Sequence, residues 1–428
     1  MTTTAADPRT LVEEFWADLV PDARAAVRAI ARAGGRSGGV YAVGGAVRDM
    51  LLGRPLLDID LTTEGDAIAI ARSALPEHKM VAHARFRTAS LSVGGAHIDV
   101  ATARRETYAR PGALPRVEPA DITADLWRRD FSVNAMALRL DGAPAFLDPC
   151  DGREDLEGRR IRVLHDRSFV DDATRIFRAL RYAARLGFEL EPRTGELLRR
   201  DLRYVETISG TRVRRELELM LLEPAAGAAF EAALSCGALP AIHPALRWSV
   251  ERSRAYQERP GGVAALPYGF ALLAADASAD DAAAIVARLR LRRDEAPAIV
   301  GVAAMRGAVG MLGRTGVTPS GIAMLLDRYP PAAVAAFGAT ADGAIARALA
   351  LRYLAEWRGV RPRLNGRDVI EMGVPEGPQV QRALQLIRAA RLDGRAKDVE
   401  DERALAARFI QAVRDSTGHD SRDGDAPR

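Results

Sequence analysis

Apolar residues recur every three or four positions through TLVEEFWADLVPDARAAVRAIARAG, Thr10 to Gly34, which predicts one amphipathic helix ending at the glycine-rich GGRSGGV. The period then drops to two. VYAVGG, LLDIDLTT, KMVAHARF, RTASLSVGG and AHIDVATA are short β-branched runs with glycine punctuation, and they predict strands. AVRDMLLG and DAIAIARSAL fall between them and read as helices. This alternation predicts a small α/β domain over 1–148. Past the turn-rich LDPCDGREDLEG the strand signals stop, and helical spacing with Gly and Pro breaks takes over. The expected class is therefore α+β, with a mixed head followed by helices at 149–222, 223–350 and 351–428. No fixed-period repeat is visible. The closing DSTGHDSRDGDAPR has no apolar stripe and is expected to be disordered from about 416.

Composition narrows the class. A chain of 428 residues exceeds one ordinary core, and no apolar run reaches the roughly 18 residues of a membrane span. The N-terminus carries acids where a secretory signal carries basic and apolar stretches, so the expected location is cytoplasmic. Cys150 and Cys236 are the only cysteines, too few for a disulfide framework or a Cys-based zinc site, and the six histidines are scattered. Net charge is only +4, but Lys79 and Lys397 are the only lysines and all other basic residues are arginine. Arginine forks onto phosphates and stacks on bases, yet it also pairs with acids along helices, so charge alone leaves nucleic-acid contact open.

The candidate chemistry lies in VGGAVRDMLLGRPLLDIDL, Val43 to Leu61. In a strand, residues two apart share a face, so Asp58 and Asp60 project together while Leu57, Ile59 and Leu61 point the other way. Two carboxylates so placed repel unless a cation lies between them, and oxygen ligands suit Mg²⁺. Two such ions can hold the attacking and leaving oxygens of a phosphoryl displacement. Gly44 and Gly45 let backbone N–H groups approach a triphosphate at the start of the next helix, where Arg48 adds charge. Asp99, in HIDVATA, is a candidate third carboxylate on a neighbouring strand.

In this order, GGAVRDMLLG followed by DIDL resembles the first motif of the class II tRNA nucleotidyltransferases and bacterial poly(A) polymerases, members of the DNA polymerase β-like superfamily. RRDFSVNAMAL, Arg128 to Leu138, resembles the second motif, with Ser132 and Val133 as mild departures. By that resemblance Arg129 contacts the nucleotide and Asn134 helps hold the head together. ARRETYARPGALPRVEP is similar to the loop preceding that motif. Family members that stop at CC lack such a loop, which weighs against a CC-only enzyme.

DDATRIFRALRYAARLGF resembles the third motif, with Asp171 in place of the customary glutamate. If it is one helix, Asp172 and Arg175 lie about 60° apart and can face one base. An aspartate accepts an amino hydrogen and an arginine donates to ring nitrogens or carbonyls, a pattern that fits C and A and clashes with U and G. Read alone, the segment is better taken as an ordinary helix of Asp–Arg pairs. The resemblance adds Arg178 and Arg181 as nucleotide-binding positions, although Arg181 lies half a turn from Asp172 and fits phosphate contact or helix packing better. ISGTRVRRELELML and LNGRDVIEMGVPEGPQVQRALQLIRAARLDGRA resemble later family segments. The resemblance implies a polymerase β-like head, catalytic Asp58 and Asp60, Mg²⁺, CTP and ATP as substrates, and tRNA, its 3′ end and acceptor arm, as partner. A poly(A) polymerase or A-adding enzyme shares all three motifs. A silent RNA-binding protein on the same fold is the remaining alternative, against which the retained Asp58 and Asp60 speak.

Overall fold

The computed structural model describes residues 7–312 and 317–419. The predicted first helix is two, α1 (Pro8–Asp18) and α2 (Pro21–Gly34). Proline restricts the residue before it to extended backbone, and Leu19 and Val20 accordingly leave the helical region, so Pro21 opens a new helix rather than continuing the old one. Strand β1 (Val40–Val43) and helix α3 (Gly45–Leu51) follow, then β2 (Asp58–Thr63) and α4 (Ala67–Ala74). Next come β3 (Met80–His83), β4 (Thr88–Val93) and β5 (Ala96–Thr102). The expected loop after β5 is a hairpin, β6 (Arg104–Thr107) and β7 (Arg116–Pro119), with only its Pro- and Gly-bearing tip irregular. Helix α5 (Ile122–Trp127), β8 (Ala137–Arg139) and β9 (Phe146–Leu147) complete the head.

Among the described residues one seven-stranded sheet forms in the order β3-β4-β5-β2-β1-β8-β9, while β6 and β7 pair only with each other. Within the larger sheet β2 and β5 run parallel and the remaining neighbours antiparallel. Ile59, Leu61, Ile98 and Val100 are buried on one face of this parallel pair.

Helices then dominate: α6 (Gly152–Glu157), α7 (Ser168–Asp171), α8 (Thr174–Leu186), α9 (Pro192–Asp201), α10 (Gly210–Leu222), α11 (Ala226–Ser235) and α12 (Ala238–Ile242). Strands do not stop at the head, because β10 (Arg160–Ile161) and β11 (Glu189–Leu190) form a two-residue parallel pair that brackets α8. Both are too short to show a period. The first compact unit runs to Pro244, past the boundary expected at 222, because α11 packs on α8 and α12 packs on α11.

The second unit, from Ala245, holds α13 (Val250–Gln257), α14 (Ala265–Leu273), α15 (Ala279–Leu289), α16 (Ala296–Leu312), α17 (Pro319–Leu326), α18 (Pro331–Thr340), α19 (Ala344–Arg352), α20 (Gly366–Glu371), α21 (Pro378–Leu392) and α22 (Val399–His419). No helix among the described residues is long and apolar enough to cross a membrane. Helix α22 carries on to His419, past the predicted start of disorder, and the rest of that prediction, 420–428, lies outside the described residues.

The last three helices close on Leu364, Val369, Ala383, Ile387, Ala406 and Ile410. Beside them Glu402 is fully buried and accepts the backbone N–H groups of Arg363 and Leu364 and a hydrogen bond of 2.7 Å from Arg391. A buried carboxylate tolerates loss of its charge poorly once its donors have no other acceptor. Glu402→Gln, which turns an amide N–H toward those donors, is expected to lower stability by about 2–4 kcal/mol in urea unfolding. An unchanged midpoint would show that the acid is dispensable.

Candidate active site

The sheet delivers its chemistry at the end of β1. Gly44 there has φ 64° and ψ −123°, a conformation that side chains rarely adopt, and a Cβ at this position would stand 2.6 Å from the Arg129 guanidinium. The backbone therefore favours glycine, and any side chain here would also push the Arg129 guanidinium aside. In the parallel register Asp60 lies opposite Asp99 and Asp58 opposite His97, so strand alternation puts all three predicted carboxylates on one face. Asp99 accepts the Ser90 hydroxyl and lies 3.4 Å from His97 Nε2.

Burial pushes the Asp60 carboxyl above its usual range, and Asp99 and Asp58 push the same way against the pull of Arg129 and Arg48. A carboxylate destabilised by its own neighbours gains from a cation brought between them. Among the described residues no three His, Cys, Asp or Glu side chains are already arranged as a metal site. The donor set, all oxygen and incompletely compensated, nonetheless fits a hard divalent ion.

A cavity of about 440 Å³ opens over this face, with Gly44, Gly45 and Asp60 at one side. Arg129, Asp130 and Asn134 form a second wall, and Arg175, Arg178 and Tyr182 of α8 form a third. Asp172 joins this lining. Glu106 and Tyr108 reach in from the β6–β7 hairpin, and Arg212, Arg215 and Glu216 from α10.

The walls are tied by one run of polar contacts. Arg48 donates to Asn134 Oδ1 at 2.6 Å, the Asn134 amide donates to Asp130 at 3.0 Å, and Arg178 donates twice to Asp130 at 2.5 and 2.8 Å. Burial alone would raise the Asp130 carboxyl, but Arg178 and the Asn134 hydrogen bond hold it well below the usual range. Asp130 in turn raises Arg178. Arg129 pairs with buried Asp125 at 2.9 Å.

Two predicted residues, Arg48 and Asp172, take positions the sequence did not indicate, and Arg181 takes the packing role that its helical position allowed. Arg48 is buried, donates Nε and Nη2 to Asp49, and does not line the cavity, so its charge is spent on its neighbour and its task is to brace Asn134. Arg181 also lies outside the cavity, bonded to Glu223 at 3.1 Å and near Glu216, which is the packing role. Asp172 is not on the helix with Arg175. Its carboxylate accepts the backbone N–H and hydroxyl of Thr174, an Asx turn that breaks the chain into α7 and α8 and leaves Asp172 extended, with φ −142° and ψ 97°. Both residues still line the cavity. Arg175, buried, donates to Ser168 Oγ at 2.7 Å and to the Arg128 carbonyl at 2.8 Å, which fixes its guanidinium plane.

Sequence reasoning missed Arg212, which holds Asp172 at 2.7 Å from forty residues away. It missed Tyr182, whose ring lies under the Arg48, Arg178 and Arg181 guanidinium groups at 4.8–5.6 Å from its centroid. Helical spacing could have found this one, since Tyr182 follows Arg175 by seven residues and Arg178 by four. Glu216, raised by burial against Arg178 and Arg181, has a carboxylate oxygen without a hydrogen-bond partner, and Tyr108 donates to Glu106 at 2.9 Å. No pattern in the chain signalled either.

Two protein families match this region: the Poly A polymerase head domain over residues 40–162, and the probable RNA and SrmB-binding site of polymerase A over residues 187–248. The chain is 36% identical to a CC-adding tRNA nucleotidyltransferase of Deinococcus radiodurans, over 94% of this chain and 97% of that one. It is 31% identical to an A-adding tRNA nucleotidyltransferase of Geobacter sulfurreducens, over 87% of this chain but only 45% of the relative. A Thermotoga maritima CCA-adding enzyme solved in complex with tRNA has 29% identity and a TM-score of 0.75, covering 95% of this chain and 98% of that one.

Asp130→Ala strands the Arg178 guanidinium and is expected to cost roughly 3–5 kcal/mol at neutral pH. Because the folded carboxyl titrates below its unfolded counterpart, the pair's stabilisation is complete above the ordinary carboxylate range and is lost as pH falls through the lower folded value. Urea midpoints measured from pH 6 down to pH 2 should fall more steeply for the native protein than for the variant. Parallel curves would refute the pairing.

Proposed function

Because the chain belongs to the class II tRNA nucleotidyltransferase and bacterial poly(A) polymerase family, we propose that it extends tRNA 3′ ends without a nucleic-acid template, completing CCA from CTP and ATP. The observation that carries this reading is the meeting, in one cavity, of a glycine turn, a strand carboxylate and the base-reading candidates Asp172 and Arg175. Triphosphate, reactive end and base edge then each have a wall of suitable chemistry. tRNA work also favours a cytoplasmic location.

Nucleotidyltransferases of this family use divalent metal ions. Asp58 and Asp60, with Asp99 beside them in register, would hold Mg²⁺ here. A divalent ion held there would supply a lowered pKa at the primer 3′-hydroxyl and charge neutralisation at the pyrophosphate. The protein's own part is positional. Gly44 and Gly45 admit the triphosphate to the backbone, and Arg129, held by Asp125, supplies guanidinium donors beside it. Arg178 stands ready in the same wall.

Base choice rests on Asp172 and Arg175. Asp172 Oδ1 is filled by two hydrogen bonds from Thr174, while Oδ2 accepts only from Arg212 among the described residues and keeps a lone pair for an amino group, and Arg175 keeps N–H groups beyond those given to Ser168 and Arg128. An amino donor beside a ring acceptor satisfies both, as C and A offer. A carbonyl in the amino position leaves buried groups unpaired.

A second reading, addition of CC alone, is favoured by the Deinococcus relative, which matches along nearly its whole length. The ordered β6–β7 hairpin belongs with the first reading. Incubating the protein with tRNA ending before CCA, with CTP, ATP or both, and sizing the products separates them. Two C and one A supports CCA addition, two C alone the second reading, one A alone an A-adding enzyme, a long A tail a poly(A) polymerase, and no extension a binding protein.

Asp58→Ala or Asp60→Ala is expected to reduce incorporation of both nucleotides by at least about 10³-fold with circular dichroism unchanged. Full activity in either would defeat the metal assignment. Arg175→Ala is expected to admit UTP and GTP, with a loss of discrimination on the order of 10²-fold, while the apparent triphosphate affinity changes little. Arg212→Ala, which frees Asp172, should erode selectivity in the same direction, and unchanged selectivity in both variants would exclude the protein as template.

A further inference from the structure

Helix α2 carries arginines at strict four-residue spacing, Arg24, Arg28 and Arg32, and Arg36 continues the series in the turn that follows. Some helical arginines elsewhere meet a glutamate four residues on, as in Arg153–Glu157, Arg254–Glu258, Arg352–Glu356 and Arg367–Glu371. Helix α2 has no such partner, since Asp22 in its first turn is its only acid. Like charges at this spacing repel. Arg24 is absorbed by the Ala17 and Leu19 carbonyls, but Arg28 and Arg32 are exposed and have no acidic partner among the described residues.

Those two side chains line a groove of about 600 Å³ with Trp16 of α1 and the turn Arg139 to Gly142 after β8. Arg28 lies over the half-buried Trp16 indole at 5.2 Å from its centroid. Three arginines face one aspartate, Asp141, whose oxygens are already engaged by Val40 N–H and Arg139. The groove shares no residue with the catalytic cavity. It sits at the opposite end of β1 from Gly44, on the order of 13 Å of strand away. Both helices also precede the matched head domain, which begins at residue 40.

We propose that this groove is a second RNA site, which takes an unpaired nucleotide away from the 3′ terminus. The base takes the place of the Arg28 guanidinium on the indole, and Arg28, swung aside, and Arg32 bind the phosphates on either side of it. An aromatic face beside uncompensated guanidinium groups suits a stacked, anionic ligand, and the four-residue arginine spacing follows a backbone running along the helix. The site is independent of which nucleotides the enzyme adds.

The test is fluorescence anisotropy on the full chain with an unstructured RNA of about twelve nucleotides, blocked at its 3′ end by phosphate. Arg28→Glu/Arg32→Glu is expected to weaken binding at least tenfold and to reduce the slope of log affinity against log salt by about 1.4, the value for two phosphate contacts on a single strand. Trp16→Leu should weaken binding roughly five- to tenfold with the slope retained. CTP incorporation at saturating tRNA should be unchanged in both variants. Native affinity and slope in both would overturn the proposal, as would incorporation lost in step with binding. Equilibrium dialysis with CTP or ATP tests the other source of the same chemistry: loss of one nucleotide equivalent in the double variant, with RNA affinity intact, would assign the groove to free nucleotide and sink the RNA site. Because binding is read apart from catalysis, an inactive protein would still report on the groove.

Discussion

The pairing of Asp130 with Arg178 is the constraint on which the site depends. Asp130 belongs to the segment after α5 and Arg178 to the first helical layer beyond the head, so this ion pair, with the Arg175–Arg128 hydrogen bond beside it, fixes the distance between the wall beside the carboxylates and the wall made by α8. Asp130 is buried and Arg178 partly so, and attraction between unlike charges there is screened less than at an open surface. Asn134 and Arg48 extend the same chain of contacts back to the helix that follows the glycine turn. Four residues from three separate stretches of sequence thus act as one strut.

What the chain announced and what it concealed divide along sequence distance. Strand alternation placed Asp58 and Asp60 together, and the glycine turn was visible because such backbone beside Arg129 favours glycine. The five longer strands had enough residues to show a period. Strands β8 to β11, two or three residues each, did not, and the β6–β7 ribbon was masked by the proline and glycine of its own tip. Helical spacing also misled where a side chain competes with the backbone: Asp172 accepts the Thr174 N–H and ends a helix that periodicity alone would carry straight through. The partners that decide function, Arg212 on Asp172 and Asp49 on Arg48, were illegible for opposite reasons. The first lies far along the chain, and the second is adjacent, where an Arg-Asp pair looks like chance.

Arginine serves two distinct purposes here. Most guanidinium groups are closed by acids or carbonyls and act as structural clamps, as Arg48, Arg181 and Arg391 do. Others, Arg28 and Arg32 among them, have no acid or carbonyl partner among the described residues, so the informative quantity is the balance of partners around each arginine rather than net charge. A net charge of +4 conceals both populations.

The β6–β7 ribbon has a further consequence. It shares no ladder with the main sheet, and its tip rests on the helical layer at one place, where Gly112 meets Thr207 so closely that a Cβ would fall 2.4 Å from the threonine hydroxyl oxygen, and where Arg212 donates to the Gly112 carbonyl at 3.4 Å. The same arginine holds Asp172. Lifting the ribbon leaves the seven-stranded ladder intact but breaks the Arg104–Asp125 and Arg128–Glu106 contacts at its base, and it releases one of the two anchors of the side chain that steadies Asp172. Enclosure of the chamber and the stiffness of the Asp172 side chain are mechanically one variable, so a ligand that seats the ribbon also stiffens Asp172.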